Sequence, residues 1–546
     1  MTRWSLTWSS ALALAAAASA QGLWEPRANF PVSATEVSAA AIDGKIYAVC
    51  GITPSGSINR LFIYDPRTDA WSEGAPAPIP GGDHCNVAAA GGKLYLLGTI
   101  QIFSSFLDGN TYEYDPATNR WQTVGVMRVP RAASGVAAIG TRIYVAGGLA
   151  GGRSVADFEV FDTVTRAWTT LPGMPTARDH LTAQAVNGRF YAIGGRAGAE
   201  FTANEEFNPA NNTWIVRAPL PTRRGGLASG VIAGRIVVFG GEGNSGTPQG
   251  TYRQNEEYDP ATDTWRSLAP MLTPRHGLYG ASLDDRVFAP SGGPVAGANY
   301  SNALEVFYLP PAAAPVIDSG GARNAASFDV VLAPGALASL FGDRFSFGEM
   351  VVTRFPLPLR MNAVEVRVND APVPLFFVGP RQINFLLPAS LAAGPVRIAV
   401  SNAGSTGSAF MTDLVDAAPG IFSLAESGQG QGAILIGNSG LLAGAGGRAA
   451  RSGDVVEIYC AGLGRVDNAP PEGQPPIGIV RTVETPEVFI AGVRAEVLFS
   501  GLAPGFAGVY QINARVPAGV TPGVAVAVAV RAGGRMSNTV TMAVGE

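Results

Sequence analysis

Lysine is almost missing from this chain: only Lys45 and Lys93 occur, and every other basic residue is arginine. No basic block exists and the formal net charge is −4, which argues against a nucleic-acid partner. Cysteine is as scarce, with Cys50, Cys85 and Cys460, so this is not a disulfide-built fold. Cys50 and Cys85 are expected as buried thiols, with pairing left open, and Cys460 as a core residue. Beyond the N-terminus no apolar run reaches the roughly 18 residues that a membrane span needs. Charged residues make up only 15%, whereas Gly (69) and Pro (40) are abundant. That balance suits short strands joined by tight turns and disfavours helices. At 47% hydrophobic residues the chain is too apolar to be disordered.

The N-terminus has the layout of a secretory signal peptide over residues 1–20. Arg3 is the basic end, Ala11 to Ala18 the small apolar stretch, and Ala18-Ser19-Ala20 an A-x-A site. Cleavage after Ala20 would deliver the protein to the periplasm or the extracellular space. No Cys follows the site, so a lipid anchor is not expected.

What the chain has in plenty is repetition. YDPRTDAW (64–71), YDPATNRW (114–121), FDTVTRAW (161–168), FNPANNTW (207–214) and YDPATDTW (258–265) are five copies of one octapeptide. Together with Trp24, the tryptophans Trp71, Trp121, Trp168, Trp214 and Trp265 are spaced by 47, 50, 47, 46 and 51 residues. Self-similarity at that period signals a propeller or solenoid. A second marker recurs, a basic-aromatic-apolar alternation ending in a Gly pair: Gly147-Gly148, Gly194-Gly195, Gly240-Gly241 and, less regularly, Gly292-Gly293. Asp-Pro opens a tight turn, since Pro presets φ and Asp accepts a backbone bond. Trp is large enough to wedge neighbouring sheets together. These residues are expected to build.

Residues 22 to 310 thereby resemble the kelch repeat, which combines a Gly doublet, an aromatic-Asp-Pro turn and a following Trp. The resemblance implies a β-propeller with one four-stranded antiparallel blade per repeat. The last unit, from Trp265, has no closing Trp, while the chain begins with an unpartnered LWEPR (23–27). The economical solution is six blades, with the N-terminal strand completing the sixth and leaving no open edge.

Within such blades the a–b and c–d turns share one face and are uniform in length, while the b–c loops on the other face vary. Variation over a constant scaffold suits a binding surface. Phe103, Phe106, Phe201, Tyr252 and Tyr300 offer contacts there. Near the start of each first strand lie Arg131, Arg178, Arg224 and Arg275, which could bind acidic ligands. Units with this Arg also carry Glu159, Glu205, Glu256 or Glu305; the first two units have Ala34 and Gly82 with Phe62 and Tyr112 instead. Joint presence and absence favour an intrablade ion pair. The only histidines, His84, His180 and His276, fall in alternate units near the channel mouth. Three histidines around an axis could hold a metal, but His276 is one position out of register, and a one-residue shift reverses a strand side chain. Polar lining of the mouth is therefore expected, with no metal and no cofactor.

A copper oxidase of the galactose-oxidase kind would need Tyr, Cys and two His in positions this chain does not provide. A sugar-acting enzyme similar to bacterial sialic-acid mutarotases fits export and six blades better. Its acid or base would come from Glu242, Glu200, Asp83 or Asp179.

LPPAAAP (309–315) reads as a linker, after which the repeat stops. The remainder has its own duplication: QINFLLPASLAAGPVRIAV (382–400) matches QINARVPAGVTPGVAVAVAV (511–530). Alternation at Val524, Val526, Val528 and Val530 argues strands. Two tandem Ig-like β-sandwiches, 311–415 and 416–546, account for it. ARNAASF (322–328), QINFLLP, APGIF (418–422) and GLG (462–464) resemble a Solibacter-type C-terminal domain, whose halves are similar to IPT/TIG modules. That resemblance implies no known activity. The sequence thus points to an exported all-β protein: a six-bladed propeller over 21–310, then two sandwiches. Its expected role is non-catalytic binding or scaffolding, with an extracellular glycan, polymer or protein as partner; the alternative is the sugar-acting enzyme.

Overall fold

The computed structural model describes residues 21–437 and 439–546. The signal peptide expected over 1–20 lies outside the described residues. Among them there is no helix. Contacts divide the chain into two compact units, Met1–Pro310 and Pro311–Glu546.

The first unit holds six four-stranded antiparallel sheets. Blade one is Ser38–Ile42, Lys45–Val49, Leu61–Asp65 and Ala70–Gly74, paired in that order. Blades two to five repeat the meander over 87–126, 135–171, 182–216 and 228–267. Blade six takes Ala281–Leu283, Arg286–Pro290 and Leu304–Tyr308, and its outer strand is Leu23–Pro26, with Trp24 opposite Phe307. The first strand of every blade touches the first strands of both its neighbours, and the sixth touches the first. The unit is a closed six-bladed β-propeller.

The octapeptide is the outer hairpin of each blade. Its aromatic and its Trp face each other across the last strand pair, as in Tyr64↔Trp71 and Tyr258↔Trp265. The second residue caps the turn: Asp65, Asp115 and Asp259 each accept the backbone N–H two residues on, at 2.8–2.9 Å. The sixth residue has a part the motif did not announce. Asp69, Asn119 and Asp263 sit at positive φ. Each accepts the Tyr hydroxyl of its own octapeptide and a backbone N–H of the chain leaving the preceding blade. The Trp indoles do the same work. Trp71, Trp121, Trp214 and Trp265 donate to the carbonyls of Ala28, Ala75, Pro172 and Ala218 at 2.8–2.9 Å, each on the preceding blade. Trp168 uses the hydroxyl of Thr111.

The Gly doublets are also junctions between blades. Gly147 and Gly148 have φ of 61° and 107°. The N–H of Gly148 bonds the carbonyl of Arg178 in the next blade at 2.9 Å, and a Cβ on Gly147 would lie 2.5 Å from that same oxygen. Only glycine fits both conditions. Cys50 and Cys85 form a disulfide between blades one and two, with Cα atoms 6.6 Å apart. This corrects the expectation of two thiols: Cys50 follows the second strand of blade one and Cys85 precedes the first strand of blade two, and the packing of these adjacent blades brings them together. Cys460 is free and buried, as expected.

Among its described residues the second unit shows two hydrophobic cores. One draws on two five-stranded sheets and includes Leu340, Val366, Ile383, Phe385 and Ile398. The other, with Ile458, Val488, Ile512 and Val528, fills a sheet that turns through the long strand Val493–Leu502. The QIN strands are equivalent in detail. Gln382 bonds Asn384 and Gln511 bonds Asn513. A bulge interrupts each neighbouring strand at the same place, between Leu375 and Phe377 opposite Asn384, and between Val497 and Phe499 opposite Asn513.

Candidate functional site

Each blade begins with a backbone kink before its first strand. Glu36, His84, Ala133, His180, Gly226 and Gly277 are the equivalent residues, and all six are left-handed, with φ between 48° and 60°. Hydrogen bonds run round this ring from blade to blade. Gly277 N–H donates to Gly226 O, Gly226 to His180 O, His180 to Ala133 O and Ala133 to His84 O, each at 2.9 Å, and Glu36 N–H reaches Gly277 O. The ring lies just before the first strands begin, at one end of the channel they line. A left-handed residue with a side chain costs roughly 1–2 kcal/mol. Blades five and six use glycine here, whereas one, two and four carry Glu or His, and these three side chains converge.

His84 and His180 meet edge to face, with ring centroids 4.7 Å apart. His84 Nε2 lies 3.5 Å from Glu36 Oε2. The Nδ1 atoms point outward, His84 to Asp83 at 2.5 Å and His180 to Asp179. Glu36, His84 and His180 are only 3–6% exposed. Burial opposes charge on His84, but Glu36 and Asp83 outweigh it and hold its pKa above the ordinary value. At His180 burial prevails over Asp179, helped by repulsion from His84, and the pKa falls.

The network continues outward. His180 Nε2 accepts from Arg196 at 2.9 Å, and Arg196 pairs with Glu242. Glu242 also faces His276 Nδ1 at 3.3 Å and accepts from Gly297 N–H at 3.2 Å. Burial would raise the Glu242 pKa, but His276 and Arg196 lower it on balance. Further along the inner strands the channel is a cavity of about 230 Å³, lined by small side chains such as Ala40, Ala88, Ala137, Ala185 and Ala281.

The sequence candidates divide clearly. Arg131, Arg178, Arg224 and Arg275 are all 0% exposed. They pair within their own blades with Glu159, Glu205, Glu256 and Glu305 at 2.5–3.1 Å. Arg131 and Arg178 also bond the carbonyls of Gly147 and Gly194. They are therefore corrected from candidate ligand-binding residues to scaffold, because no guanidinium face remains open. His84 and His180 meet at the mouth, whereas His276, one residue out of the ring, contacts Glu242 and the Val295 carbonyl instead. Three of the four acid/base candidates, Asp83, Asp179 and Glu242, are partners of His or Arg; Glu200 lies against Gly243. Phe103, at 74%, is the most exposed of the loop aromatics. Phe106, Phe201, Tyr252 and Tyr300 are half-buried on separate loops.

Glu36 and Arg196 were missed. Glu36 had a signal: it stands nine residues before Lys45, as His84 does before Lys93 and His180 before Arg189. Arg196 and Glu242 each follow a Gly doublet, so adjacent blades present opposite charges at one level.

Comparison with known proteins agrees with this architecture. A KLHDC2/KLHL20/DRC7 Kelch-repeats domain matches residues 125–293, and a Kelch motif matches 34–78. Kelch-like protein terF of Aspergillus terreus is 30% identical over 317 residues, 53% of this chain and 68% of that protein. Kelch-like protein 15 of Danio rerio is 28% identical over 145 residues, 23% of this chain and 24% of its own length. The human Rab9 effector protein with kelch motifs is 31% identical over 120 residues, covering 21% of this chain and 32% of its own. A solved structure titled "Structure of YjhT" aligns at 16% identity and a TM-score of 0.44, over 50% of this chain and 95% of that one. The chain belongs to the kelch-repeat family.

Proposed function

We propose that this is a non-catalytic binding or scaffold protein outside the cytoplasm, recognising a protein, glycan or polymer through the variable-loop face. The observation that carries this is the consumption of charge at the mouth. The buried arginines Arg131, Arg178, Arg224 and Arg275 are each neutralised within their blades. A site for an acidic ligand would need an open guanidinium. Kelch-repeat proteins typically mediate protein binding, which supports this role. Among the described residues no helix is long and apolar enough to cross a membrane. Loops of unequal length over a rigid ring, with Phe103 at a tip, supply a surface. The Pro311–Glu546 unit is read as two IPT/TIG-like modules for display or assembly.

The sugar-acting enzyme is favoured by one specific contact, Glu242 against Arg196, a carboxylate and a guanidinium at the channel mouth. The two readings separate experimentally. The full chain is applied to glycan, polysaccharide and protein arrays beside Phe103→Ala and Tyr252→Ala. Binding that falls in these loop variants supports recognition by the loops. Anomer interconversion of a free sugar, followed by NMR and abolished in Glu242→Gln, would replace it with catalysis.

A further inference from the structure

We propose that Glu36, His84 and His180 form a binding site for one divalent transition-metal ion, Zn²⁺ being the best match in chemistry. Their ligand atoms all lie within 4.8 Å of one another. A tetrahedral ion held at about 2.0–2.1 Å from each ligand needs ligand–ligand separations of roughly 3.3 Å. The Glu36–His84 edge is 3.5 Å, so closing the site asks mainly for an approach by the His180 ring.

Three further observations point the same way. Both imidazoles are oriented from behind, with Nδ1 bonded to the Asp that precedes each in sequence. A metal-bound His is held in this manner, because the carboxylate fixes the tautomer and leaves Nε2 for the ion. Next, the three residues occupy left-handed positions where blade three places alanine and blades five and six glycine, so this ring carries polar side chains only in the three blades whose ligand atoms meet. Finally, the anionic charge is in surplus: Glu36, Asp83 and Asp179 surround two imidazoles that are neutral when they ligate. Arg196 now donates to His180 Nε2 and must withdraw for the ion to bind. Its side chain is partly exposed and has Glu242 as a remaining partner. Three protein ligands leave a fourth position for water or an exogenous group. His276 takes no part, since its register turns it to Glu242.

The test uses the full chain, stripped with chelator and titrated with Co²⁺ under visible absorption and with Zn²⁺ by calorimetry. The expected result is one equivalent of Co²⁺ with the intense d–d bands of a tetrahedral site, displaced by Zn²⁺. His84→Ala, His180→Ala and Glu36→Gln should each abolish those bands. Asp83→Asn should weaken Zn²⁺ binding by about 10–100-fold through the lost orientation of His84. Thermal unfolding of each variant checks that the propeller still forms. A wild-type chain that takes up neither ion at micromolar concentration overturns the proposal without any variant. So does a cobalt spectrum that survives in His84→Ala and vanishes in His276→Ala.

Discussion

The indole N–H of Trp24 donates to the carbonyl of Ala269 at 2.9 Å, joining residues 245 positions apart in the chain. Trp24 also packs on Phe239 of blade five and Phe307 of blade six. The N-terminal strand therefore closes the ring with the same device that links the other blades. Trp24→Ala should cost about 3–5 kcal/mol, as expected for a buried aromatic. Denaturant unfolding of the propeller checks this; a loss below about 1 kcal/mol would mean that the ring holds without its closure.

Arg131 and Glu159 are both fully buried. Glu159→Gln leaves the guanidinium uncompensated and should destabilise by about 3–5 kcal/mol. Blade one shows the apolar substitute, Ala34 with Phe62. The double variant Arg131→Ala/Glu159→Phe should therefore be less damaging than Glu159→Gln alone. A double-mutant cycle measures the coupling, and purely additive losses would contradict it.

The Cys50–Cys85 bond should stabilise by about 2–4 kcal/mol through the loop it closes. Thiol titration in denaturant without reductant should find one group, Cys460, and three after reduction. The folded chain should react at none, since burial pushes the Cys460 thiol up.

Asp263 accepts from Tyr258 OH at 2.6 Å and Ala218 N–H at 2.8 Å, and the tyrosine bond is the main cause holding its pKa below the ordinary aspartate value. A depressed folded pKa contributes stability above the unfolded value and loses it as pH falls through the folded one. Asn119 makes the same two bonds without a charge. Asp263→Asn should thus nearly preserve stability at neutral pH and make its decline below the ordinary aspartate range shallower, as read from melting temperatures across acid pH. An unchanged acid limb would remove Asp263 from the cause.

Much of the fold could be read directly. The tryptophan period and the orphan LWEPR strand specify six blades, because pattern and turn chemistry are local properties repeated in every unit. The Arg–Glu pairs were legible for a related reason: blades one and two lack both partners, so the repeats serve as their own control. The candidate site was legible only in part. His84 and His180 could be named, but their third partner is a glutamate from a blade without histidine, whereas His276 stands one residue out of register.

The sequence by itself determined the blades, their order and the residues that wedge them apart, since those depend on contacts within a repeat or between successive ones. Only the tertiary structure decided what meets on the axis. Closure brings Glu36 of blade one against His84 and His180 of blades two and four. Such meetings follow from ring radius and left-handed backbone at one position per blade, neither of which any single repeat encodes.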